Sequence, residues 1–257
     1  MRRNICRGIV AVIFIVMAFP IYGATRYTII TEVIPQGKTP QIEKAIVTLA
    51  ENKGRIDIVE RNGNKENGDL FLMTLDGGKT AVLGHQKKAL CSEWNSEEYF
   101  RKMGQLLFKV KRWTNLEVRD PKIEKVLEEP GPELLGYPTK HIRLVTTAGI
   151  KASVVVKKFR FHLQITDDVW IAPQLEIHPI EQQWINAQTH TGFEQLDQML
   201  DTWNKKLPGM ILKQEAVIRF KDRIKKKESV KTEKIEITAI EKLELSKIPA
   251  ETFRMPK

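Results

Sequence analysis

The sequence predicts an α+β protein: a large curved antiparallel β-sheet, an incomplete barrel, with helices packed on its concave side. Three observations carry this. Most of the chain alternates apolar and polar residues, as in Phe159, Phe161, Leu163 and Ile165 against Arg160, His162, Gln164 and Thr166, the pattern of an antiparallel strand wet on one side. The period changes to helical in only two long stretches, Ser96 to Trp113 and Thr191 to Trp203. Between them run short turn signals and no low-complexity linker, so we expect about ten strands in one domain over residues 25–257.

Residues 1–24 stand apart. Arg2, Arg3 and Arg7 precede an uncharged apolar run, Gly8 to Phe19, that Pro20 ends. The run is shorter than the roughly 20 residues of a membrane-spanning helix and has the build of a secretory signal. Cleavage is expected after Gly23 or Ala24. No cysteine follows the run, so the lipid-attachment site of a bacterial lipoprotein is missing, and the expected location is periplasmic or secreted. The formal charge is +10 over 257 residues, with 42 basic residues largely interleaved with 32 acidic ones, a mild excess that favours anionic surfaces.

The elements follow in order. Thr25 to Val33 alternates as a strand, Pro35-Gln36-Gly37 turns, and Gln41 to Leu49 reads as a second strand. Arg55 to Arg61 places Ile56 and Ile58 inward, and Arg61 to Gly68 reads as a polar loop. Asp69 to Leu75 and Lys79 to His85 form a hairpin about Asp76-Gly77-Gly78. Lys87 to Glu93 adds a strand, in which Cys91 reads as a small buried hydrophobe. The first helix has Asn95 or Ser96 to cap it and Phe100, Met103, Leu107 and Val110 as its apolar stripe. Leu116 to Glu128 returns to strand. His141 to Thr147 alternates, Gly149 breaks it, Ser153 to Thr166 runs back, and Asp167-Asp168 turns the chain into Val169-Trp170-Ile171-Ala172-Pro173. The segment from Pro173 to His190 reads as irregular, anchored by Trp184. In the second helix Thr191 and Glu194 fit a capping box, and Phe193, Leu196, Met199, Leu200 and Trp203 form the stripe. Met210 to Phe220 and Lys234 to Leu245 are closing strands, joined by the charged segment Lys221 to Glu233, and the tail from Ile248 is extended.

No catalytic constellation stands out. The five histidines lie on different elements without metal-ligand spacing, Asp167-Asp168 reads as a turn rather than a catalytic pair, and no phosphate loop or nucleophile elbow is present. The expectation is therefore a non-enzymatic protein with no metal and no cofactor. Phe100, Met103, Leu107, Val110, Phe159, Phe161, Leu196, Met199, Leu200 and Trp203 are the candidates to line an apolar cavity between sheet and helices. Lys221, Arg223, Lys225, Lys226 and Lys227 are candidates for surface contact with anionic lipid or an acidic envelope partner. Nucleic acid is not expected, since only Phe220 interleaves with that basic run.

The Gly131-Pro132 turn, Gly136-Tyr137-Pro138, the Val169-Trp170-Ile171-Ala172-Pro173 corner and the Phe253 to Pro256 ending, in this order of elements, resemble a bacterial secreted family of unknown function. Its fold is similar to the LolA/LppX/RseB-like superfamily of periplasmic proteins. Thr139 stands where that pattern often has cysteine, and the chain ends at Lys257 without the usual aromatic extension. The resemblance implies a LolA-like half-barrel that binds a lipid, an acylated protein or another apolar ligand in the envelope. An interaction or scaffold module without a cavity is the alternative.

Overall fold

The computed structural model describes residues 24–85, 90–96, 98, 117–154, 157–188, 194–224 and 226–254. Eleven strands form one antiparallel sheet: β1 (Ala24–Pro35), β2 (Gln41–Ala50), β3 (Lys53–Arg61), β4 (Asn64–Leu75), β5 (Thr80–His85), β6 (Leu90–Asn95), β7 (Glu117–Pro130), β8 (Lys140–Val154), β9 (Lys157–Ala172), β10 (Met210–Asp222) and β11 (Glu228–Leu243). Two helices are described, α1 (Pro179–Gln188) and α2 (Glu194–Lys205). The strand order is β6-β5-β4-β3-β2-β1-β11-β10-β9-β8-β7. Two meanders, β1–β6 and β7–β11, are thus joined where the first strand pairs with the last, from Ala24↔Leu243 to Pro35↔Lys231. β6 and β7 are the two edges, so the sheet is open.

One face is the core. Tyr27, Val47, Leu49, Ile56, Leu72, Ile142, Leu144, Val169, Ile171 and Leu212 alternate inward and join one buried cluster with Ile180 and Trp184 of α1. That cluster contains residues of both β4 and β8, which have six strands between them. Flat, those strands would lie about 34 Å apart at the usual strand spacing, beyond the roughly 10 Å width of a helix. The sheet therefore curls around its helices. α1 lies over β3 and the Asp76–Gly78 turn, and α2 lies over β7.

Close approach sets the seat of α1. Gly54 in β3 has no side chain, and a Cβ there would stand 2.8 Å from Ile180 Cγ2 and 2.8 Å from Trp184 Cζ2. The start of α1 is a capping box built on histidine. His178 Nδ1 accepts the Ile180 amide at 3.2 Å, Pro179 opens the helix, and Glu181 Oε2 accepts the His178 amide at 3.3 Å. The opposite face of the sheet holds a smaller cluster of Phe71, Met73 and Val82, against which Phe253 of the tail packs. Arg55 stacks 4.3 Å from the Phe71 ring centroid and donates from Nη1 to the Thr252 carbonyl at 2.8 Å.

Several expectations are corrected. The segment after Pro173 is not irregular throughout, since Pro179–Gln188 is helical, with Trp184 as its buried anchor. Gly149 does not break a strand, because β8 runs through it. Asp167-Asp168 is no turn. Both lie within β9, where each carboxylate has partners on its own face of the sheet. The loop after Arg61 shrinks to Asn62-Gly63, with φ of 50° and 79°, the left-handed pair of a two-residue hairpin. The Lys221 to Glu233 connection is mostly strand. Cys91 is exposed, because it faces outward beside Gly84 on the edge strand β6. Phe100, Met103, Leu107 and Val110 lie outside the described residues, but the cap is visible: Asn95 Oδ1 accepts the Glu98 amide at 3.1 Å.

Gly54→Ala is expected to lower the unfolding free energy by about 1–3 kcal/mol, the range for overpacking a filled core. Urea denaturation of the two proteins measures it. A change well below 1 kcal/mol would mean that α1 has room to shift.

Candidate functional site

The concave side holds two buried acids, each beneath a helix. Glu181 of α1 is fully buried and accepts a hydrogen bond from the Tyr27 hydroxyl of β1. Burial pushes its carboxyl up to about 8, against the hydrogen bonds from Tyr27 and the His178 amide. It is thus a neutral acid near pH 7, and the same burial raises the Tyr27 phenol well above its ordinary value and lowers His178. On the other half, Asp167 of β9 accepts from Gln214 Nε2 of β10 at 2.8 Å and from Trp203 Nε1 of α2 at 3.3 Å. Burial raises Asp167 to about 6, with Gln214 and Trp203 pulling down and Glu233 and Asp168 adding to the rise. The Gln214 Oε1 atom is buried without a hydrogen-bond partner among the described residues.

Thr31 lies in the register row of Gln214 with the apolar Ile235 between them, and Asp167 with Gln214 forms a buried polar pair on the inward face. Apolar side chains lie on both sides of it. On the α1 side they are the packed cluster. On the other side Leu163 and Ala148 are buried, Ile150, Phe161, Ile165 and Ile218 are half-buried, and Phe220 is 38 % exposed. Strand alternation and register put these on the inward face, yet none belongs to the main cluster. On α2, which packs on β7, Met199, Leu200 and Trp203 are half-buried, and of these Trp203 packs against the main cluster.

The sequence candidates fall into three groups. Phe161 is half-buried on the inward face, and Met199, Leu200 and Trp203 are half-buried on α2. Phe159 sits in β9 opposite Ala152 and Leu196 sits in α2, with only their backbone described. Lys221, Arg223, Lys226 and Lys227 are exposed at the β10–β11 end, while Lys225 lies outside the described residues. Among the described residues no group of three or more His, Cys, Asp or Glu is placed to hold a metal ion.

Sequence reasoning missed the outer face of β8–β10. There His141 stacks on Trp170 at 4.7 Å between centroids and 6° between planes. Its Nε2 lies 2.7 Å from Asp168 Oδ1 and its Nδ1 3.1 Å from Glu129 Oε1. Arg143 forks onto Asp168 at 2.7 and 3.1 Å, and Lys213 Nζ lies 4.8 Å from the Trp170 ring centroid. Further along the same strands a cavity of about 600 Å³ is lined by Arg119, Asp120, Thr147, Ala148, Gly149, Ile150, Lys151, Arg160, Phe161, His162, Arg223 and Ile224. Only strand register brings these residues together.

A raised carboxyl stabilises the fold fully below its unfolded pKa and loses that contribution as pH rises through the folded value. Asp167 contributes such a loss from its ordinary 3.8 up to about 6, and Glu181 from 4.5 up to about 8. The thermal midpoint is therefore expected to fall between about pH 5 and pH 8. Glu181→Gln, which can still bond Tyr27 and the His178 amide, is expected to remove the upper part of that fall. Thermal unfolding across the range checks it, and an unchanged slope in the variant would contradict it.

No protein-family model matches the chain. No curated protein matches it. Among solved structures the chain is similar to the LolA superfamily protein NE2245 from Nitrosomonas europaea, with 8 % sequence identity, a TM-score of 0.32, and coverage of 93 % of this chain and 92 % of that one; at that score the fold class rests on the sheet described above.

Proposed function

We propose that the protein binds a lipid, an acylated protein or another apolar ligand between α2 and the β7–β10 half of the sheet, without catalysing a reaction. The observation that carries this is the apolar surface beyond the Asp167–Gln214 pair that joins no buried cluster. Met199 and Leu200 on α2 lie over the same half of the sheet as Phe161, Ile165 and Ile218, and none of these joins the packed cluster. Methionine suits such a wall because its thioether chain adapts to irregular apolar shapes. Ten methylenes buried there would contribute about 8 kcal/mol, comparable to the roughly 4–15 kcal/mol that association costs.

The envelope setting rests on the amino-terminal segment. No described helix is long and apolar enough to cross a membrane. Ala24 is 3 % exposed and paired with both Leu243 and Ala50, so cleavage after Gly23 leaves β1 whole, whereas cleavage after Ala24 removes a paired residue. Intact-mass measurement of protein exported from a bacterial host is expected to give a chain beginning at Ala24; a chain beginning at Thr25 would show that this pair is dispensable.

The binding reading is tested by native mass spectrometry of the mature domain purified without detergent, followed by organic extraction. A reproducible added mass that extracts as lipid is the expected result, and Met199→Glu with Leu200→Glu is expected to abolish it while the thermal midpoint stays close to that of the parent. A clean mass that stays clean after incubation with membrane extract would overturn the reading and favour the envelope scaffold instead.

A further inference from the structure

The outer face of β8–β10 divides by charge. Toward Trp170 the charges are matched: Arg143 lies on Asp168, and Lys213 lies 3.0 Å from Glu215. Toward the other end they are not. Gly149 of β8 has Arg119 of β7 and His162 of β9 as its cross-strand neighbours, and Lys151 stands opposite Arg160. Arg223 closes the group, its amide bonded to the Arg160 carbonyl at 2.8 Å. Gly149, which has no side chain, is one of the residues lining the 600 Å³ cavity.

The carboxylates in reach do not balance these cations. Glu117 answers Arg119 at 2.7 Å and lies near Lys151. Asp120 is the only acid in the lining among the described residues, and Asp222 is engaged by the Ile224 amide at 2.8 Å. Arg160 and Arg223 make no ion pair among the described residues. Guanidinium forks converging on a recess match the planar, bidentate recognition of phosphate oxygens.

We propose that this cavity binds a phosphate-class oxyanion, supplied as the headgroup of an anionic phospholipid. Its volume exceeds what inorganic phosphate fills, leaving room for the rest of a headgroup. At its lip Ile224 is 53 % exposed beside the exposed Lys226 and Lys227, a basic tip with an apolar point that suits the headgroup layer of a membrane. Ala148, Ile150 and Phe161 of the inward face also line the cavity, so it adjoins the apolar trough of the function proposed above, while the arginines changed below lie outside that trough and report anion binding separately.

The test is co-sedimentation of the mature domain with phosphatidylglycerol and with phosphatidylcholine vesicles, and calorimetric titration with glycerol 1-phosphate and with inorganic phosphate. Three variants accompany it. Arg160→Gln with Arg223→Gln removes charge. Gly149→Ile places a branched side chain beside the arginines; its Cβ would meet Arg119 Cβ and O at 3.6 Å, an ordinary contact, and thermal unfolding checks that the variant folds. Lys247→Gln alters an exposed lysine on the tail and serves as the control. We expect binding to phosphatidylglycerol but not phosphatidylcholine, weakened about tenfold or more by each of the first two changes, where about tenfold corresponds to one lost charge-assisted contact, and unaffected by the third. Titration by the soluble phosphates with the same sensitivity to the variants, but no vesicle binding, would keep the anion site and overturn the membrane as its source. Binding to neither probe, or binding that survives both the charge and the recess variants in folded protein, would overturn the proposal.

Discussion

The pairing of β1 with β11 is the constraint on which the rest of the molecule depends. Every other contact among the described strands joins neighbours in sequence, so each of the two meanders could be laid out by local hairpins alone. The ladder from Ala24↔Leu243 to Pro35↔Lys231 turns them into one sheet. Only then do Leu72 on one meander and Leu144 on the other face a common interior. Such a long-range ladder orders the whole intervening chain before it gains its own contacts, which makes it the slow part of assembly.

The interior that results is not uniformly apolar. Each helix is fixed to the concave side partly by an acid: Glu181 beneath Tyr27 under α1, and Asp167 between Gln214 and Trp203 under α2. A carboxyl in a dry interior is tolerated when it keeps its proton or finds donors, and both occur here. The consequence is a fold whose α1 anchor is uncharged near pH 7. The Asp167–Gln214 pair also lies between the buried cluster and the apolar residues of β8–β10 that do not join it.

Much of this was legible in the residues. Alternation in β1, β3, β9 and β10 and the helical spacing of Met199, Leu200 and Trp203 report burial directly, and the antiparallel α+β architecture follows from them. Three features escaped for physical reasons. Helix α1 has Pro179 and Glu181 at the right places, but its cap is His178, a residue with little capping signature in sequence. Asp167 and Asp168 look like turn formers because sequence does not show that Gln214, Trp203, Arg143 and His141 arrive from other strands to satisfy them. The cavity around Gly149 draws on residues more than 100 positions apart, and register alone assembles it. By contrast, the exposed lysines and arginines of the β10–β11 end were visible as a charge run, though not that Arg223 meets Arg160.

An open sheet has two edges, and here they are unlike. β6 has only six residues, while β7 has fourteen. A long free edge is a template on which a second chain can crystallise into a fibril. β7 is interrupted by register shifts at Arg119/Lys122 and Lys125/Leu127, contains Pro121, and carries the exposed pair Lys122–Glu124 and the pair Lys125–Glu128. An approaching strand would find donors missing, spacing broken and charges to desolvate. The unclosed barrel is thus guarded along its longer border by the irregular register, the proline and the charges of β7 itself.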